Sequence, residues 1–105
     1  MIRILIAESD TELRNLLKAE LDSGGNQAEV ALTGGAALSM LQKEDYDIAL
    51  LDLGMPGLGG LDALRAVGGS DHPCEVIILT PHAAVQTAVE AMRLGAYDYS
   101  IKPYK

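Results

Sequence analysis

Three short apolar runs in this 105-residue chain each lead to one chemically active side chain. Leu50-Leu51 delivers Asp52, Val76-Ile77-Ile78-Leu79 delivers Thr80, and Tyr97-Asp98-Tyr99-Ser100-Ile101 delivers Lys102. A carboxylate, a hydroxyl and an ammonium at three strand ends point to chemistry on a phosphoryl group. An Asp can attack phosphorus to form an aspartyl-phosphate, but attacker and target are both anionic. A Mg²⁺ held by carboxylates and water relieves that repulsion. Glu8, after Ile4-Leu5-Ile6-Ala7, is the metal-side carboxylate. Lys102 would supply a cation and Thr80 a donor for the remaining phosphoryl oxygens, as preorganised groups do at other developing charges. Singly, Asp52 also reads as the start of the Gly54-Met55-Pro56-Gly57 turn, Thr80 as a helix N-cap, and Lys102 as a solvated ammonium. Those readings need three independent coincidences. One shared site replaces all of them.

The elements that must position these groups alternate between short strand-like runs and helix-period stretches. Ile4 to Ala7 is unbroken in its hydrophobicity, as a strand covered on both faces should be. Leu13, Leu16, Leu17 and Leu21 recur at helical spacing, with Ser9 or Asp10 as N-cap and Glu12 in the first turn. Gly24-Gly25 ends that helix. Gln27 to Leu32 is a weaker, alternating strand at the sheet edge. Thr33 caps a second helix carrying Ala37, Leu38 and Leu41. Ile48 to Leu51 forms strand three, followed by a Gly/Pro-rich loop and a short helix with Leu61, Leu64 and Val67 that stops at Gly68-Gly69. Val76 to Leu79 is strand four. A helix lined by Val85, Ala88, Val89 and Met92 ends at Gly95, and Tyr97 to Ile101 is strand five. Right-handed crossovers between such strands give a parallel α/β sheet. Five of them favour the doubly wound, flavodoxin-like order 2-1-3-4-5, whose crevice lies between strands one and three. Glu8 and Asp52 meet there. No fifth helix follows Lys102-Pro103-Tyr104-Lys105, so apolar surface beside strands one and five is expected to be exposed, which would favour a homodimer.

Bulk composition narrows the classes. One domain, residues 1–105, would bury roughly two-thirds of its unfolded surface. A formal charge of −7 argues against direct nucleic-acid binding and suits a basic partner or a bound cation. A single cysteine, Cys74, has no intrachain partner and stands beside an apolar run, so it reads as a packed thiol in a reducing, cytoplasmic setting. No apolar stretch approaches the length of a membrane span, and the N-terminus lacks a cleavage pattern.

The set Leu51-Asp52-Leu53-Gly54-Met55-Pro56-Gly57-Leu58-Gly59-Gly60, followed by Thr80 and Lys102-Pro103, resembles the CheY-like receiver domain of two-component response regulators, over the whole chain. Thr87-Ala88-Val89-Glu90-Ala91-Met92-Arg93-Leu94-Gly95-Ala96-Tyr97-Asp98-Tyr99 resembles receivers of NtrC-type transcriptional activators. The resemblance implies phosphotransfer from a sensor histidine kinase to Asp52, with Thr80 and Lys102 sensing the product and Tyr99 reporting the switch. It implies Mg²⁺ held by Glu8, Asp52 and the Gly54 backbone, with Ser9 or Asp10 as further candidates. An effector domain outside this chain, regulating transcription, would be the output. The chain would be a phosphoacceptor with at most slow autophosphotransfer and autodephosphorylation, not an enzyme.

Two residues depart from the family pattern. Receivers usually carry two adjacent acids after strand one, and here the pair is Glu8-Ser9, whose hydroxyl is a poor ligand for a hard dication. Pro81, after Thr80, has no N–H to offer a phosphoryl oxygen, and one lost donor of that kind costs roughly 3 kcal/mol in enzymes. The expectation is weak Mg²⁺ affinity and a slow or short-lived response. Ser9 and Pro81 also support an alternative, a degenerate receiver that acts as a phosphorylation-independent interaction module. His82 reads as an exposed loop residue. An aspartate-nucleophile hydrolase would need a second acid near Asp52, which Leu53-Gly54 lacks. A flavodoxin would not place Glu8, Asp10 and Glu12 where a flavin phosphate sits.

Overall fold

Parallel pairing organises the chain around β1 (Arg3–Ala7) and β3 (Ile48–Asp52), which run side by side in the middle of the sheet. The structure, a computed structural model, describes residues 2–52, 74–80, 92–93 and 98–101; for Thr80 and residues 98–101 it describes the backbone. Among these, β2 (Gln27–Ala31) lies on the outer edge against β1, while β4 (Glu75–Thr80) and β5 (Asp98–Ile101) continue the sheet beyond β3. The order is β2-β1-β3-β4-β5, every pair parallel. That is the doubly wound order expected from the sequence. The helix expected around Leu61, Leu64 and Val67 and most of the one through Val85, Ala88 and Val89 lie outside the described residues, as do Gly54, Pro81, His82 and Lys102.

Alternation along the strands builds two cores. Leu5, Ala7, Ala49, Leu51, Val76 and Ile78 face α2 (Gly34–Lys43), where Ala37 and Leu41 are buried with Tyr46. Ile4, Ile6 and Ala28 face α1 (Thr11–Ser23), packed by Leu17 and Leu21. Covering both faces explains why β1 is apolar without interruption. Leu16 belongs to the same sequence stripe yet is 57% exposed. At 3.6 residues per turn it lies roughly 60° from Leu13 on the side away from Leu17, so the sheet-facing contact follows Leu17 and Leu21 instead. Met92, expected to line a helix face, is helical and half exposed.

Local chemistry fixes the helix ends. The Asp10 carboxylate accepts from Leu13 N–H at 3.1 Å, and Thr33 Oγ1 accepts from Ala36 N–H at 3.0 Å. Between the two candidate caps for α1, Asp10 holds the position. At the far end, Gly25 takes φ 85°. Its N–H donates to Asp22 O at 3.1 Å and that of Asn26 to Leu21 O at 3.2 Å, the paired closure a left-handed glycine permits. Asp10→Ala should cost about 1 kcal/mol of stability, read as a lower urea midpoint at unchanged slope.

At the amino end of the sheet, far from the strand tips, a polar cluster ties distant segments together. Arg3 bridges Glu29 at 2.6 Å and Glu44 at 2.8 Å and lies over the Tyr46 ring, 4.8 Å from its centroid. The Tyr46 hydroxyl donates to Glu29 at 3.1 Å. Burial first, and then that bond, push the Tyr46 hydroxyl up to about 12. The bond from Arg3, and with it that from Tyr46, holds the Glu29 carboxyl below its ordinary 4.5 against the opposing effect of burial. A raised pKa stabilises the fold below the unfolded value of 10.0 and is lost as pH climbs through the folded one. Wild-type melting temperature should therefore fall between pH 10 and 12 more steeply than that of Tyr46→Phe. Parallel curves would show that Tyr46 contributes no such linkage.

Candidate functional site

The carboxyl ends of β1 and β3 stand level. Ala7 pairs with Leu51, so the residues that follow them, Glu8 just beyond β1 and Asp52 at the end of β3, come side by side at the crevice. Both are buried, at 0% and 1% exposure. Asp52 is the last rung of β3, paired with Leu79, rather than a residue beyond the strand. Thr80, likewise, ends β4 inside the ladder and pairs with Ile101. Thr80 thus follows directly the residue opposite Asp52, and Ile101, its partner, is the residue before Lys102. Tyr99 lies on β5 opposite Ile78. Strand register therefore brings Glu8, Asp52 and the Thr80 backbone to one edge of the sheet. Lys102 and Gly54 lie outside the described residues.

Hydrogen bonds fix the loop after β1. Asp10 N–H donates to Glu8 Oε2 at 2.9 Å, and Arg14 Nη1 donates to the Glu8 carbonyl at 3.1 Å. Ser9 donates twice to one oxygen, Asp52 Oδ2: its N–H at 3.1 Å and its hydroxyl at 2.5 Å. That hydroxyl also lies 3.5 Å from Glu8 Oε2, so the Ser9 side chain stands between the two acids. Among the described residues, every buried side-chain polar atom has a partner, as expected for acids at this depth.

Two findings escape sequence reasoning. Ser9 reads there as a weak metal ligand, whereas here it is a donor to the neighbouring acid. Arg14 carries the other signal: a cation near a helix N-terminus opposes the helix dipole and so points to a local acceptor, here the Glu8 carbonyl. Asp10, the other candidate ligand, accepts the α1 capping bond on Oδ1.

The donor set suits a hard dication. Glu8 and Asp52 supply buried carboxyl oxygens, and Mg²⁺ is commonly held by one or two carboxylates, water and substrate phosphate. Among the described residues no group of three His, Cys, Asp or Glu side chains forms a cage. The side chains of Glu8 and Asp52 would fit Mg²⁺ as its protein carboxylates. Cys74 sits at the opposite end of the sheet, beside a cavity of about 470 Å³ lined by Ile2, Asp47, Ile48 and Glu75. Burial, then Asp47 and Glu75, push its thiol up to about 11, which leaves it a poor nucleophile at neutral pH.

The response regulator receiver domain model matches residues 4–105, and the chain belongs to that family. It is a receiver domain of the two-component response regulators. It is 36% identical over 102 residues to Regulatory protein AtoC of Escherichia coli, an NtrC-type regulator, spanning 97% of this chain and 22% of that protein. Identity is also 36%, over 104 residues, to the virulence transcriptional regulatory protein PhoP of Salmonella typhimurium, covering 99% of this chain and 46% of PhoP. The chain thus spans between about a fifth and a half of these relatives. Among solved structures, response regulator TrrA of Thermotoga maritima, in complex with Mg²⁺ and BeF, superposes with a TM-score of 0.85. It is 28% identical, and the match covers 100% of this chain and 90% of TrrA.

Proposed function

We propose that this receiver accepts a phosphoryl group on Asp52 from a histidine kinase and converts it into a change of interaction surface. The observation that supports this most is the pair of buried acids at adjacent strand ends, Glu8 and Asp52. An Asp52 oxygen attacks phosphorus and forms the O–P bond of an acyl phosphate. The P–N bond of the phosphohistidine breaks, and its electron pair stays on the imidazole, which ends neutral or takes up a proton from water. Glu8 and Asp52, with the Gly54 backbone, would hold Mg²⁺, which when bound offsets charge on the phosphoryl oxygens. Thr80 and Lys102 engage the phosphoryl oxygens in this reading, and Tyr99 follows their movement. Such a switch works only through differential contacts in its two states.

The output is a transcription-regulating domain beyond this chain, an assignment supported by the regulators it resembles. A cytoplasmic location suits the acidic composition and single thiol; no described helix is long and apolar enough to cross a membrane. Incubation with acetyl phosphate and Mg²⁺ should add one phosphate by intact mass. A mass unchanged under those conditions would favour the second reading, a phosphorylation-independent docking module. The specific observation behind that reading is Ser9, where receivers usually have an acid, bound to the acceptor residue itself.

A further inference from the structure

We propose that Ser9 is a positioning residue that masks the acceptor: its hydroxyl occupies Asp52 Oδ2, so that Mg²⁺ reaches this oxygen only by displacing it. The inference rests on Asp52 being the acceptor and adds a resting-state control at that site. Both Ser9 donors converge on one oxygen, the hydroxyl at 2.5 Å. With both donors in place, Oδ2 has two hydrogen bonds from the same residue and its acceptor positions are taken. The same hydroxyl lies 3.5 Å from Glu8 Oε2. It therefore fills the gap between the two acids that a shared cation would bridge.

The consequence differs in sign from that of a weak ligand. If the Ser9 oxygen coordinated the metal, removing it would loosen binding. If it competes with the metal, removing it tightens binding. An aspartate at this position would tighten binding under either account, through its added charge, and so decides nothing. Alanine and glycine decide it, because both keep the backbone N–H and the net charge while deleting the hydroxyl.

Mg²⁺ titration of the intact chain, followed by backbone amide NMR shifts, supplies the measurement without any phosphodonor. Ser9→Ala and Ser9→Gly should bind Mg²⁺ ~3- to 10-fold more tightly than wild type, the scale of one displaced hydrogen bond. Ser9→Thr, which restores a hydroxyl, should return to wild-type affinity. Dispersion of the amide spectrum before titration confirms that each variant is folded. Affinity unchanged or weakened in both the Ala and Gly variants, including no detectable binding, overturns the proposal. Phosphate uptake from acetyl phosphate, measured separately on wild type, tests Asp52 as acceptor. Absent uptake removes that reading while the sign of the Mg²⁺ response still decides the mask.

Discussion

Asp52→Asn should take up no phosphate from acetyl phosphate under conditions that load the wild type. The amide offers one neutral oxygen in place of two anionic ones, and no acyl phosphate forms from it. The substitution is nearly isosteric and sits on a backbone rung paired with Leu79, so the sheet should persist. The remaining amide oxygen can still accept from Ser9. Loss of uptake therefore reports chemistry rather than unfolding, and amide NMR of the variant checks that the strand order survives. Phosphate found on the Asn variant would move the acceptor elsewhere. Partner binding that is identical in wild type and variant, with and without phosphodonor, would instead identify a docking module that needs no phosphate.

Much of this site was legible because strand ends are legible. Unbroken apolar runs in β1, β3 and β4 require cover on both faces, and the doubly wound order then sets Glu8 beside Asp52. Asp10 and Thr33 were readable as caps because short acceptors before a helical stripe have few other roles. Ser9 was not readable in its observed role. Whether a hydroxyl serves as ligand or donor depends on where it points, and spacing carries no such information. The Arg3 cluster was invisible for another reason: its partners Glu29 and Glu44 lie 26 and 41 residues away. No local period encodes such a pairing. Leu16 misled because a stripe predicts a face, while the sheet sets how far round the helix that face extends.

Leu51→Ala should separate the scaffold from the chemistry it carries. Leu51 is fully buried in the cluster with Leu5, Ala49, Ile78 and Leu41. Truncation removes apolar transfer energy and leaves a void, about 3 kcal/mol for a core leucine. Domains of this size have total stabilities of ~5–15 kcal/mol, so the melting temperature should drop by more than about 10 °C. Leu16→Ala, on an exposed position, should stay within about 0.5 kcal/mol of wild type. Leu51 faces the α2 side, and successive strand residues alternate, so its side chain points away from that of Asp52. Asp52 has its rung with Leu79 and the two Ser9 donors to position it, none of them made by Leu51. Well below its lowered melting point, the Leu51→Ala protein should still take up one phosphate and bind Mg²⁺ as wild type does. A folded variant that had lost both would show that core packing, and not the ladder alone, sets the geometry of the two acids.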